Sequence, residues 1–139
     1  FEEIVWKLEA FRDEMDTWFV LNNLETLRKN GRLTGVKALV ASTLNIKPVM
    51  GATPEGTIIQ LGQAVGLKKA LIRMAGMVAE KVKNPQEKYL MISHCNNPEK
   101  AEWVRSMIME QVSFAGSFIL NTAGISSMYA NDGGIIITA

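Results

Sequence analysis

Apolar positions recur along this chain with two periods, one helical and one extended. Ile4, Leu8, Phe11 and Met15 fall at helical spacing with Val5 beside them, which predicts an amphipathic helix over 2–15. Glu2 and Glu3 suit the positive end of its dipole. Thr17-Trp18-Phe19-Val20-Leu21 is branched and aromatic and predicts a short strand. Asn22 then reads as the N-cap of a second helix, with Glu25 three positions on at capping-box spacing. Arg28 and Lys29 fill its last turn, and Asn30-Gly31 stops it.

The rest of the chain is organised around the stretch 31–60. It reads as turn, short helix, strand, hairpin turn and strand. Val36, Leu39 and Val40 make a helical face, with Thr43 and Leu44 one turn on. Asn45-Ile46-Lys47-Pro48-Val49 switches to period two, with Ile46 and Pro48 on one side and Lys47 and Val49 on the other. In Thr53-Pro54-Glu55-Gly56 the proline presets φ and the glycine supplies a positive φ, so a turn is expected before Thr57–Leu61 becomes extended again.

Leu67, Leu71, Met74 and Val78, widened by Ala70 and Met77, predict a helix over 66–82 that Asn84-Pro85 ends. Residues 88–94 have a near-continuous apolar middle, the mark of a strand inside a sheet. Asn97-Pro98 opens a helix running to about Glu110 on Ala101, Val104, Met107 and Ile108. Strands come next at 117–121 and, after Gly133-Gly134, at 135–138. The expected fold is α/β (α+β), a mixed sheet of about six strands with helices packed on it; the hairpin at 45–61 makes it mixed rather than parallel.

Composition narrows the function classes. At 139 residues the chain suits one domain able to bury a core without disulfides or metal. A hydrophobic share of 47% with 21% charged argues against disorder. A net charge of +1 gives no strong pull toward nucleic acid or a membrane surface. No stretch approaches the ~20 apolar residues of a membrane span. Cys95 is the single cysteine, which excludes an internal disulfide and suits a reducing compartment. Eight methionines, among them Met50, Met74, Met77, Met107, Met109 and Met128, would either line an adaptable cavity or simply fill core. The chain starts at Phe1 in mid-pattern and reads as a piece of something longer.

Three places invite chemistry. The stretch 122–134 lies between two strands and is rich in small residues and hydroxyls. If Ser126 or Ser127 opens a short helix there, backbone N–H groups and a hydroxyl would hold a carboxylate or phosphate, with Tyr129 a further donor; otherwise it is a turn that the serines cap. No lysine follows its glycines, so it is not a phosphate-binding loop. His94, the sole histidine, closes a strand just before a helix, where ligands often bind in α/β sheets; the alternative is a hydrogen-bonded strand-end histidine. It and Cys95 point to opposite sides of a strand end and do not make a nucleophile–base pair. Arg32, beside Gly31 and Thr34, would face an anionic ligand, pair an acid or contact a helix-end carbonyl. Paired catalytic carboxylates, a metal cluster and a serine triad are all missing from the pattern, and Trp6, Trp18 and Trp103 are too scattered for base stacking.

Gly31-Arg32-Leu33-Thr34-Gly35, Leu44-Asn45-Ile46-Lys47-Pro48, Leu67-Lys68-Lys69-Ala70-Leu71, Ile92-Ser93-His94 with Asn97-Pro98-Glu99-Lys100-Ala101, and the closing Gly-rich turn come in the order and spacing of the DegV family. The chain resembles that family from about Trp18 onward, and only its C-terminal domain. The resemblance implies a bacterial, cytoplasmic carrier that is not itself an enzyme and uses no cofactor. A long-chain fatty acid would lie with its tail in an apolar tunnel, helped by Val40, Leu44 and Ile46. Its carboxylate would sit near Arg32, Ser126, Ser127 and Tyr129. An N-terminal domain with its own Ser and Thr ligands is the implied partner.

The sequence departs from the family at two points. Many members place a histidine in the closing turn; the matching position here is Tyr129, a donor without positive charge at neutral pH. A fatty acid kinase is a further implied partner. Members that serve it tend to carry an arginine before Lys-Lys-Ala, and Ala64-Val65-Gly66 has none, which weakens that partner. Two other classes stay open on the residues: an interaction domain with an exposed apolar surface, and an enzyme using Arg32 and His94 on an anionic substrate.

Overall fold

The computed structural model describes residues 1–33 and 45–139. Their elements, in chain order, are helix α1 (Glu2–Glu14), strand β1 (Thr17–Val20), helix α2 (Glu25–Lys29), strands β2 (Ile46–Ala52) and β3 (Ile58–Val65), helix α3 (Leu67–Lys81), strand β4 (Tyr89–His94), helix α4 (Pro98–Gln111), strand β5 (Gly116–Asn121), helix α5 (Gly124–Ala130) and strand β6 (Ile135–Thr138). The short helix expected around Val36–Leu44 lies outside the described residues, and with it Val40 and Leu44.

One six-stranded sheet has the order β3-β2-β1-β6-β4-β5. Only β4 and β5 run parallel, joined through α4; every other neighbouring pair is antiparallel. The expected mixed sheet is therefore present, and β4 lies inside it. The last strand closes the sheet from its middle. It pairs Trp18 with Ile137 and Phe19 with Ile136 on one side, and Ile92 with Ile137 on the other. In the β2–β3 hairpin Thr53 N–H donates to Thr57 C=O and Gly56 N–H to Thr53 C=O, with Gly56 at φ 80°. Farther along, Val49 pairs with Gly62 but Met50 with Gln60, so Leu61 is the extra residue of a bulge that bends this edge.

Alternation sorts the strand side chains into two cores. Trp18, Val20, Val49, Leu90, Ile92, Ile135 and Ile137 face the layer of α3 and α4, where Leu71, Met74, Val78, Val104 and Ile108 meet them. Each such aliphatic side chain withdrawn from water contributes about 1.5–3 kcal/mol. The stripe read on α3 is the buried one. The opposite face gathers Leu21, Leu27, Leu33, Met50 and Ala130 with Phe19, Ile58, Tyr129 and Ile136, under α2 and α5. Toward β5 that face carries a second hollow, of about 400 Å³, between Phe11 and Met15 of α1 and Tyr89, Met91 and Phe118 of the sheet, with Phe118 half exposed. The methionines act mainly as core filler: Met50 and Met74 are fully buried, and Met77 and Met107 pack on the first core, while Met109 and Met128 are exposed.

One local expectation is corrected, and two are met with a different role for the side chains. Asn22 does not cap α2. The helix starts two residues later than that cap implies, at Glu25, because the Asn23 side chain accepts the Glu25 N–H at 2.7 Å, while Asn22 Nδ2 donates to Asp132 C=O. Asn97 stands at the N-cap of α4, but its side chain donates to Gly133 C=O at 2.9 Å instead of capping. α1 is helical, yet none of its residues is buried; Leu8 and Phe11 are 62% and 68% exposed.

Candidate functional site

Two helices stand over the second face of the sheet and leave a cavity between them. α2 runs into a turn in which Gly31 N–H donates to Arg28 C=O and Arg32 N–H to Leu27 C=O, with Gly31 at φ 67°. That turn carries Arg32 away from the helix axis and over the sheet. α5 sits opposite. Its first turn forms when Ser126 N–H donates to Ala123 C=O, so it opens at Gly124 and not at either serine.

The cavity is about 370 Å³. Phe19, Leu21, Ile58 and Ile136 form its floor, Leu27 and Ala130 its helical walls, and Arg32, Ser126 and Tyr129 stand at its edge with Ile125. Phe19 and Ile136 pair directly across β1 and β6, which makes one continuous apolar surface of the two strands. Arg32 forms no ion pair among the described residues. One cation and two hydroxyls bordering an apolar hollow suit a ligand with an anionic head and an apolar body.

The neighbouring charges belong to α2 itself. Glu25 accepts Lys29 Nζ at 2.9 Å. That hydrogen bond first, then the lysine's charge, holds the Glu25 carboxyl below the usual carboxylate range, with Arg28 adding to it. Glu25 is thus engaged along its own helix.

Three of the sequence-predicted residues, Arg32, Ser126 and Tyr129, come together at this cavity. Ser127 does not line it; its hydroxyl and that of Thr122 share a hydrogen bond at 2.8 Å. Ile46 is half-buried at the start of β2, on the Met50 side of the strand by alternation, and is not among the lining residues. Val40 and Leu44 lie outside the described residues. His94 is buried, and its Nδ1 accepts the Asn97 N–H at 3.2 Å, the strand-end role considered for it. It follows Leu90 and Ile92 onto the α3–α4 side, so the sheet separates it from Arg32. Among the described residues no three His, Cys, Asp or Glu side chains gather where a metal would sit.

Sequence reasoning missed the cavity floor. Phe19 sits in a run whose alternate members are equally apolar, and Ile136 sits inside Ile135-Ile136-Ile137. Period two cannot assign a face when both faces are hydrophobic. Ile58 likewise sits beside Ile59 with apolar residues on both faces, and only its pairing with Ala52 assigns it to the Met50 side of the sheet.

A sequence model of the DegV family matches residues 1–136. A DegV domain-containing protein of Streptococcus pyogenes is 34% identical over 143 residues, taking in 99% of this chain and 48% of that relative. Among solved structures, a DegV family protein from Ruminococcus gnavus, refined with vaccenic acid, is 53% identical at a TM-score of 0.95, covering 99% of this chain and 49% of the other. The Fatty Acid Kinase (Fak) B3 protein of Streptococcus pneumoniae, loaded with linoleic acid, is 29% identical at a TM-score of 0.85, covering 99% and 48%. The chain spans about half the length of the curated relatives it matches. With the fold, the motif order and these matches in agreement, the chain belongs to the DegV family.

Proposed function

We propose that this chain binds a long-chain fatty acid. The acyl tail occupies the cavity over Phe19 and Ile136, with Val40, Leu44 and Ile46 as further tail contacts. The carboxylate lies at the edge held by Arg32, Ser126 and Tyr129, and Ser127 steadies that edge through Thr122. The observation that carries the reading is the meeting of an apolar hollow of about 370 Å³ with a guanidinium and two hydroxyls at one side. The acyl ligands in the Ruminococcus and Streptococcus pneumoniae proteins support it.

On this reading the protein carries the acid rather than transforming it. The chain is the C-terminal, lipid-binding half of a longer cytoplasmic protein, whose N-terminal half completes the carboxylate site. No helix of the described residues is long and apolar enough to cross a membrane. The exposed Leu8 and Phe11 face of α1 supports docking of that other half. A fatty acid kinase is the enzyme such a carrier would serve, a partner weakened here because Ala64-Val65-Gly66 carries no arginine.

The test is native mass spectrometry of the purified protein, followed by organic extraction and lipid analysis, on this chain and on the full-length protein. A co-purified fatty acid in both supports the reading. A fatty acid in the full-length protein alone places essential contacts in the other half. Absence from both, with no displacement of a lipophilic dye by vaccenic acid, overturns it.

A further inference from the structure

Asn131, the residue after α5, has φ 54° and ψ 173°. Glycine adopts that combination freely, and a residue with a Cβ is strained there. The side chain is engaged from both helices that wall the cavity. Thr26 Oγ1 on α2 donates to Asn131 Oδ1 at 3.3 Å. Asn131 Nδ2 donates to the carbonyl of Asn23, at the entry to α2, at 3.3 Å, and to that of Tyr129 on α5 at 3.2 Å. One amide therefore spans from the helix that leads into Arg32 to the helix that carries Ser126 and Tyr129.

We infer that Asn131 is a positioning residue for the cavity: its amide ties α5 to α2 and so sets the separation at which Tyr129 and Ser126 face Arg32. A glycine would serve the backbone better and would leave α5 untied. The adjoining turn has its own anchors. Asn22 Nδ2 donates to Asp132 C=O, Asn96 Nδ2 to the Asp132 carboxylate, and Gly133 N–H to Cys95 C=O. Loss of the Asn131 amide thus loosens α5 without undoing the chain reversal that leads into β6. The ligand readout of this inference rests on the fatty-acid reading, whereas the tie itself does not.

The test compares full-length wild type with Asn131→Gly by melting temperature, amide hydrogen exchange and displacement of a lipophilic dye by vaccenic acid. The expected result is an equal or higher melting temperature, faster exchange confined to 124–130, and vaccenic acid binding weakened about tenfold, the scale of one lost hydrogen bond. Unchanged exchange across α5 overturns the inference, and so does unchanged affinity in a wild type that binds. A wild type that does not bind overturns the fatty-acid reading instead, and exchange alone then decides the tie. Should glycine lower the melting temperature, Thr26→Val makes the same comparison with residue 131 intact: faster α5 exchange supports the tie, and wild-type exchange overturns it.

Discussion

Thr122 Oγ1 and Ser127 Oγ lie 2.8 Å apart, so the two hydroxyls close the loop between β5 and α5 on each other. Ser126, one residue earlier, has no such partner among the described residues and lines the cavity. The neighbouring serines therefore separate by experiment. Ser127→Ala is expected to cost about 1 kcal/mol of stability with little change in fatty acid affinity. Ser126→Ala is expected to leave the melting temperature unchanged and to weaken binding several-fold. Thermal unfolding paired with dye displacement reads both; the opposite assignment would show that Ser127 turns to the ligand.

Arg32 and Ile58 bound the cavity with opposite chemistry. Ile58→Arg puts a charge into the apolar space from the edge hairpin, where β3 has no partner on its far side among the described residues. It is expected to abolish vaccenic acid binding while circular dichroism stays native. Arg32→Met keeps the stem and removes the charge; about a tenfold loss is expected for the acid and almost none for its methyl ester. Equal losses for acid and ester would assign Arg32 to packing alone.

Gly134 lies where α5 meets β6. A Cβ there would come within 2.5 Å of the Ala130 carbonyl oxygen and 3.0 Å of Leu21 Cδ2. The first obstacle is backbone and cannot swing aside. Gly134→Ala is expected to cost about 1–3 kcal/mol, read by urea unfolding, and to displace α5 with its Tyr129. Wild-type stability in this variant would mean that α5 can shift freely over the sheet.

Glu25 gives α2 an acid-side sensitivity. Its carboxyl titrates below its ordinary range because Lys29 hydrogen-bonds and attracts the charged form. A depressed native pKa contributes stability above the unfolded-state value and loses it as pH falls through the native one. Carboxyl NMR should therefore show Glu25 titrating late on acidification, with fraying of α2 at the same point. Lys29→Met is expected to move that titration up toward the ordinary value, and an unmoved midpoint would assign the shift to another group.

The hydrophobic pattern by itself determined most of the elements on either side of 34–44, whereas α5 stayed open between a short helix and a turn. α3 and α4 carry apolar stripes at helical spacing with a polar remainder, so local period and burial agree. The Thr53–Gly56 turn came from proline and glycine geometry, which is equally local. Residue chemistry singled out Arg32, Ser126 and Tyr129, and motif order gave the family. Pairing was not legible. That β6 enters between β1 and β4 depends on contacts distant in sequence, those with β1 more than a hundred residues apart, which Ile135-Ile136-Ile137 would satisfy equally well on either side. Tertiary structure also chose partners among equivalent polar groups. Asn22 and Asn97 both read as helix caps, yet both were drawn to the loop before β6, whose carbonyls needed donors. The same pull set Asn131 between α2 and α5, a role that no spacing along the chain announces, because its partners meet it only once the sheet has brought both helices to one face.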